Sequence, residues 1–339
     1  MTLNFQKSIA KSQATLPIVG VMALAAWVPP PQSTHWLNLP FLRPDGPDTH
    51  PSPADSGLWQ FFPPFLQQGY WSQALSLLCA GIAVYLMAEL NSRNALLRES
   101  SRILSSILAL LLTFTVSCHT FQPGMAAMPL VLLSFFPLFA TYQLPNPTLT
   151  LSSYLCLAIA SLISPTFIWV VPLYWTIQIL FRSLTFRCFA ASLLAIALPY
   201  WFYGGIALMT NSTEPFLAHL EAMGNFHWFD YSQLELRNAA TFLLIVTLFL
   251  VGTIDFYIHQ FLDKTRIRII HKGLILLGIA ITLIIISMPQ HLWTFLPLLI
   301  VCTAILFGHF FALTRTKFSH ILCLILLVLS LGVLAIQYL

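Results

Sequence analysis

Charged side chains are scarce in this chain: 15 Lys and Arg and 11 Asp and Glu among 339 residues, or 8%. A soluble domain carries roughly 25%, because solvent-facing positions need polar side chains. A water-soluble fold is thereby excluded, and so is disorder, which requires low hydrophobicity. Cysteine supplies no framework either. Cys79, Cys118, Cys156, Cys188, Cys302 and Cys323 stand singly, without a CxxC pair, and most lie in apolar runs where cysteine acts as a small hydrophobe. The chain has no GxSxG and no Walker-type phosphate loop, and its ten histidines form no HxH, HxxxH or HExxH. ATP-driven work and a preset metal pair are therefore not encoded locally. The net charge of +4 is no nucleic-acid signal here, since charge is informative only by where it falls.

What the chain has is apolar length. Hydrophobic residues make up 58% and the mean hydropathy is +0.82. A hydrocarbon core about 30 Å thick takes about 17–25 helical residues to cross. Apolar runs occur at about 13–28, 73–90, 103–120, 126–142, 150–163, 166–181, 188–209, 239–260, 273–288, 292–313 and 319–338. This predicts an all-α, polytopic transmembrane bundle of about eleven spans in one integral membrane domain over 1–339. Ser164-Pro165 interrupts the region 150–181, because a residue before proline is pushed out of the helical region. That region reads either as two short spans or as one broken re-entrant segment, and the count accordingly ranges from nine to eleven.

The distribution of basic residues tests this layout. With Lys7 and Lys11 inside, alternation puts 13 of the 15 basic residues on the inner face, leaving only Arg43 and Arg237 outside. The expectation is an N-terminus inside and a C-terminus outside. Lys7, Lys11 and the stretch ending Ala23-Leu24-Ala25 also fit a cleavable signal, so the first run is either a signal or an anchor. The orientation of the other spans is the same in both cases.

Two outer loops are long. The segment 29–72 begins Pro29-Pro30-Pro31, holds Asp45, Asp48 and Asp55 among proline turns, and ends in aromatics from Trp59 to Trp71 suited to the headgroup layer. The segment 210–238 starts Ser212-Thr213-Glu214-Pro215, which suggests a hydroxyl-capped helix lying in the interface, with Phe216, Leu217, Leu220 and Met223 at helical spacing. It also carries His219, Glu221 and His227. No internal repeat is evident.

Ionisable residues within spans carry a functional hypothesis first. Glu89 lies four residues before Arg93, the spacing of an interfacial ion pair. Asp255, with His259 one turn on, is a candidate proton or cation site of a transporter. Its alternative role is a structural pairing with the basic cluster Lys264–Lys272.

The acidic residues of the first outer loop, set after a first span with its N-terminus inside, resemble the GT-C superfamily of glycosyltransferases. Those enzymes act on lipid-linked sugar donors. The resemblance implies Asp45 and Asp48 as catalytic residues, with a divalent cation against a pyrophosphate as an option and no other cofactor. It further implies Asp55, His219, Glu221 and His227 as substrate-binding residues and a polyprenyl-linked sugar as substrate. A second likeness concerns LNSRNALLRESSRILSSILALLLTF (90–114) and ASLISPTFIWVVPLYWTIQILFRSLTFRCFAASLLAIALPYWF (160–202). They are similar to a family of Bacteroidota multi-spanning inner-membrane proteins, which implies location and lineage and no activity. Three functions follow as expectations: a glycosyltransferase first, a transporter or permease second, and a non-catalytic subunit of an envelope assembly third. The lipid bilayer is the expected partner and nucleic acid is not; the chain does not identify a protein partner.

Overall fold

Proline sets where several of the helices start. In the computed structural model, which describes residues 69–97, 103–224, 229, 231 and 236–313 with seven isolated residues before them, Pro123 opens one helix and Pro147 another. A missing N–H costs nothing in a first turn. Asn146 caps the second, its Oδ1 accepting from the backbone of Thr148 at 2.9 Å, and the Thr185 hydroxyl accepts from Cys188 N–H in the same way.

Among the described residues the fold is helical without strands. The α-helices are α1 (Gly69–Asn94), α2 (Ile103–Phe114), α3 (Pro123–Ala140), α4 (Pro147–Ile163) and α5 (Val170–Leu180). They continue with α6 (Phe186–Met209), α7 (Glu214–Met223), α8 (Leu236–His259), α9 (Thr265–Ser287) and α10 (Leu292–Leu313). Six of them are long and apolar enough to cross a membrane: α1, α3, α6, α8, α9 and α10, the last counted with the turn before it. The chain is a multi-pass membrane protein. The expected first and last runs, 13–28 and 319–338, lie outside the described residues apart from four positions.

The three short helices are the informative departures. α2 has 12 residues, a rise of about 18 Å, and stops at Phe114 where the apolar run continues to 120. A 3-10 turn, Val116–His119, replaces its last part. The region 150–181 is an antiparallel hairpin broken at Ser164, where α4 ends and a 3-10 turn starts at Pro165. Its two arms are joined by side chains. The Tyr154 hydroxyl donates to Gln178 Oε1 at 3.3 Å, and Gln178 Nε2 donates to the Thr150 hydroxyl at 3.2 Å. Tyr174 and Ser134 of α3 share a 2.7 Å hydrogen bond. Such groups are expensive to leave unpaired where there is no water, so this seam fixes the register of α3, α4 and α5.

Cross-chain contacts sort the turns into two ends. At one, Gln143 N–H donates to the Phe181 carbonyl, Ser183 reaches Thr141, and Arg266 bonds Asn94 and the carbonyl of Phe139. Arg93, Arg182, Lys264 and Arg268 occupy the same turns, and Arg93 pairs with Glu89 at 2.6 Å as its spacing predicts. We call this the basic end. At the other, Trp59 packs on Phe121, Trp27 stacks on His119, and Phe229 N–H donates to the Ser287 carbonyl. Helix α7 joins this aromatic end, where Trp169 Nε1 donates to the carbonyl of Met223 at 3.0 Å. Thr213 is helical at the N-terminus of α7 and makes no side-chain cap, so the capping hydroxyl expected there is absent and Pro215 alone marks the start.

Candidate functional site

The basic end holds two carboxylate–imidazole pairs around one turn. Asp255 and His259 lie four residues apart on α8 and so share a face. His259 Nδ1 is 2.9 Å from Asp255 Oδ1 and 3.1 Å from its carbonyl, two acceptors, so this nitrogen carries the hydrogen. Asp255 is 7% exposed. The sequence offered Asp255 a pairing with the Lys264–Lys272 cluster; in the structure the imidazole on its own helix is one of its partners.

The second pair was not visible in the sequence. After α8 the chain makes one 3-10 turn, Gln260–Leu262, and Asp263 follows in extended conformation just ahead of α9. Its Oδ2 is 2.8 Å from His309 Nε2 of α10, and neither side chain has any solvent contact. Close helix packing brings them together. Gly252 of α8 lies so near α10 that a Cβ there would sit 2.7 Å from the Leu306 carbonyl carbon and 2.8 Å from Phe307 N. Without a side chain at 252, α8 rests on the α10 backbone one turn ahead of Asp255 and Phe256. Small residues permit this kind of approach in membrane bundles.

Phe256 organises the rings. Its face stacks on His271 of α9, with centroids 5.2 Å apart and planes 11° from parallel, and it meets His309 edge-on at 5.7 Å. His271 and His309 are themselves 5.1 Å apart. His271 Nδ1 lies 2.9 Å from the Ile267 carbonyl, which only accepts, so Nδ1 holds the hydrogen and Nε2 is a bare lone pair. Two of the nearby cations are engaged: Arg266 with Asn94 and Phe139, at the C-terminus of α3 where a cation is favoured, and Arg268 with the Thr265 hydroxyl at 3.2 Å.

A second polar cluster lies at the aromatic end. His219 of α7 is fully buried, its Nε2 3.5 Å from the Tyr200 hydroxyl, which shares a 2.7 Å hydrogen bond with Ser161. Glu221, two residues on and thus on a different face, is exposed. The structure therefore does not bring His219 and Glu221 together. Asp45, Asp48, Asp55 and His227 lie outside the described residues. Two further histidines of the aromatic end are buried against aromatic rings: His119 is 6% exposed and stacks on Trp27, and His291 is 1% exposed and meets Trp169 edge-on.

Among the described residues, no group of three or more His, Cys, Asp and Glu is arranged to hold a metal ion. No protein-family profile matches the chain, and neither a curated protein nor a solved structure is detectably similar to it.

Proposed function

We propose that this chain is a secondary transporter of the bacterial inner membrane, with Asp255–His259 and Asp263–His309 as its ion-coupling elements. One observation carries the reading: two carboxylate–imidazole pairs meet at the same turn, and one of them has both side chains wholly out of solvent. Ionisable groups at such depth are costly to bury and mark ion paths and relays in membrane proteins. Glycosyl transfer would depend on Asp45, Asp48 and Asp55, which lie outside the described residues, and the transport reading is preferred on the two pairs alone.

In this reading the chain crosses the membrane eleven times, with its N-terminus inside, its C-terminus outside and the basic end toward the cytoplasm, as the bias of Lys and Arg requires. Single cysteines at Ala95, Leu144, Thr185 and Lys264 are then labelled from the cytoplasmic side, and one at Glu221 from the outside. Labelling of Leu144→Cys from outside overturns the eleven-span arrangement.

The function is tested without a known substrate. Proteoliposomes holding the full chain are given an inward proton gradient and a solute extract from bacterial cells, and the trapped solutes are identified by mass spectrometry. A transporter accumulates one class of solute above empty liposomes, and collapsing the gradient removes the accumulation. If no solute differs from the empty control, the transport reading is wrong.

A further inference from the structure

We infer that His271 and His309, with Asp263, form a buried site for one exchangeable proton, so that the ion coupled at this turn is H⁺. This deepens the transport reading of the same region and rests on it for its purpose, though not for its geometry. His271 gives its Nδ1 hydrogen to the Ile267 carbonyl, and its Nε2 is buried without a hydrogen-bond partner among the described residues. His309 turns Nε2 toward the Asp263 carboxylate, and its Nδ1 is likewise buried without a partner. Both imidazoles are 0% exposed and their centroids are 5.1 Å apart.

Two bare nitrogen lone pairs beside a carboxylate define what the site can accept. Na⁺ and other hard cations seek five or more oxygen ligands, and the described side chains here offer one carboxylate and two nitrogens. A proton needs only one lone pair. Taking it converts an imidazole to imidazolium, with the N–H bond formed at the cost of an O–H bond in hydronium, and the new charge lies next to Asp263. The other titratable or charged groups on the elements packed around the site are Arg237, Asp255, Tyr257 and His259 on α8, Lys264 just ahead of α9, Arg266, Arg268 and Lys272 on α9, and Tyr174 on α5, while α2 and α3 carry none. On α10 His309 is the only ionisable residue besides Cys302 within the helix. His259, partly exposed, is nearer to water than Asp255, Asp263, His271 and His309, which are buried.

The test is ¹⁵N-histidine NMR of the full chain in lipid nanodiscs across pH 4.5 to 9, with His271→Gln and His309→Gln assigning the two resonances. The expected result is a single imidazole-to-imidazolium transition shared by these two rings. It is lost in His309→Gln and displaced in Asp263→Asn. Rings that both stay neutral throughout the range in the unmodified protein overturn the proposal, and that measurement needs no variant to fold. A transition seen here with no solute accumulation in proteoliposomes leaves the proton site standing and removes the transport reading; accumulation without the transition does the reverse.

Discussion

Helices α6 and α10 have 24 and 22 residues and both are apolar enough to cross a membrane, yet 28% of the most apolar stretch of α6 is inside the bundle, against 89% of that of α10 with its preceding turn. In a membrane the surroundings of a helix are as apolar as its core, so hydropathy does not separate a lipid-facing helix from a central one. What separates them is which side chains each turns inward and which it turns outward. α10 contains Thr303, Gly308 and His309, all turned inward, whereas α6 presents Phe186, Trp201, Phe202 and Met209 outward, each more than half exposed. The centre is specified by contacts that tolerate nothing else, and the shell by bulk that many residues supply.

The largest break in this contrast is at the histidines. His309→Ala takes the imidazole from a carboxylate that has no solvent contact, and removing one partner of a buried pair costs about 3–5 kcal/mol. His259 is 35% exposed on its side chain though its partner Asp255 is buried, and His259→Ala costs about 1–3 kcal/mol, the range for taking one hydrogen-bond partner from a buried acceptor. Thermal unfolding of the detergent-solubilised chain compares the two; equal losses would mean that the bundle centre is no more demanding than its edge.

Glycine sharpens the same contrast at a smaller scale. Gly252→Ala drives a methyl into the α10 backbone and loses about 1–3 kcal/mol, the usual cost of overpacking. Gly205→Ala on α6 meets nothing within 4 Å and gains up to about 1 kcal/mol from helix propensity. Trp fluorescence during unfolding reports both, and a destabilised Gly205→Ala would mean that this face of α6 packs against protein.

Much of the fold was legible. Every apolar run from 73 to 313 corresponds to a helix in the structure, because length and apolarity are what a bilayer selects. The break at Ser164-Pro165 was legible from the restriction that proline imposes. The early end of α2 was not, since Thr115 to His119 is apolar enough to continue a helix and only the tertiary setting turns it into a 3-10 turn. Half of the candidate site was readable: Asp255 and His259 share a face by spacing alone. Asp263 looked like one more polar residue beside Lys264, His271 stood within the basic cluster next to Lys272, and His309 stood as a single histidine in apolar surroundings. Their meeting depends on Gly252 letting α8 close on α10, a contact between residues 54 positions apart (252 and 306) that no local pattern announces. The one signal available was His309 itself, an ionisable group deep inside an apolar run.

The account stands or falls on whether the carboxylate–imidazole pairs couple solute movement to an ion gradient or only hold helices together. Once a transported solute is identified, the decisive measurement compares two modes in Asp255→Asn proteoliposomes at matched protein abundance: uphill accumulation driven by a pH gradient, and downhill exchange with no gradient. Loss of uphill accumulation with exchange retained is the predicted result, because the path is intact and the ion site is not. If both modes are unchanged, or if both fall together in proportion to the folded protein remaining, the pairs are structural and the central claim is contradicted.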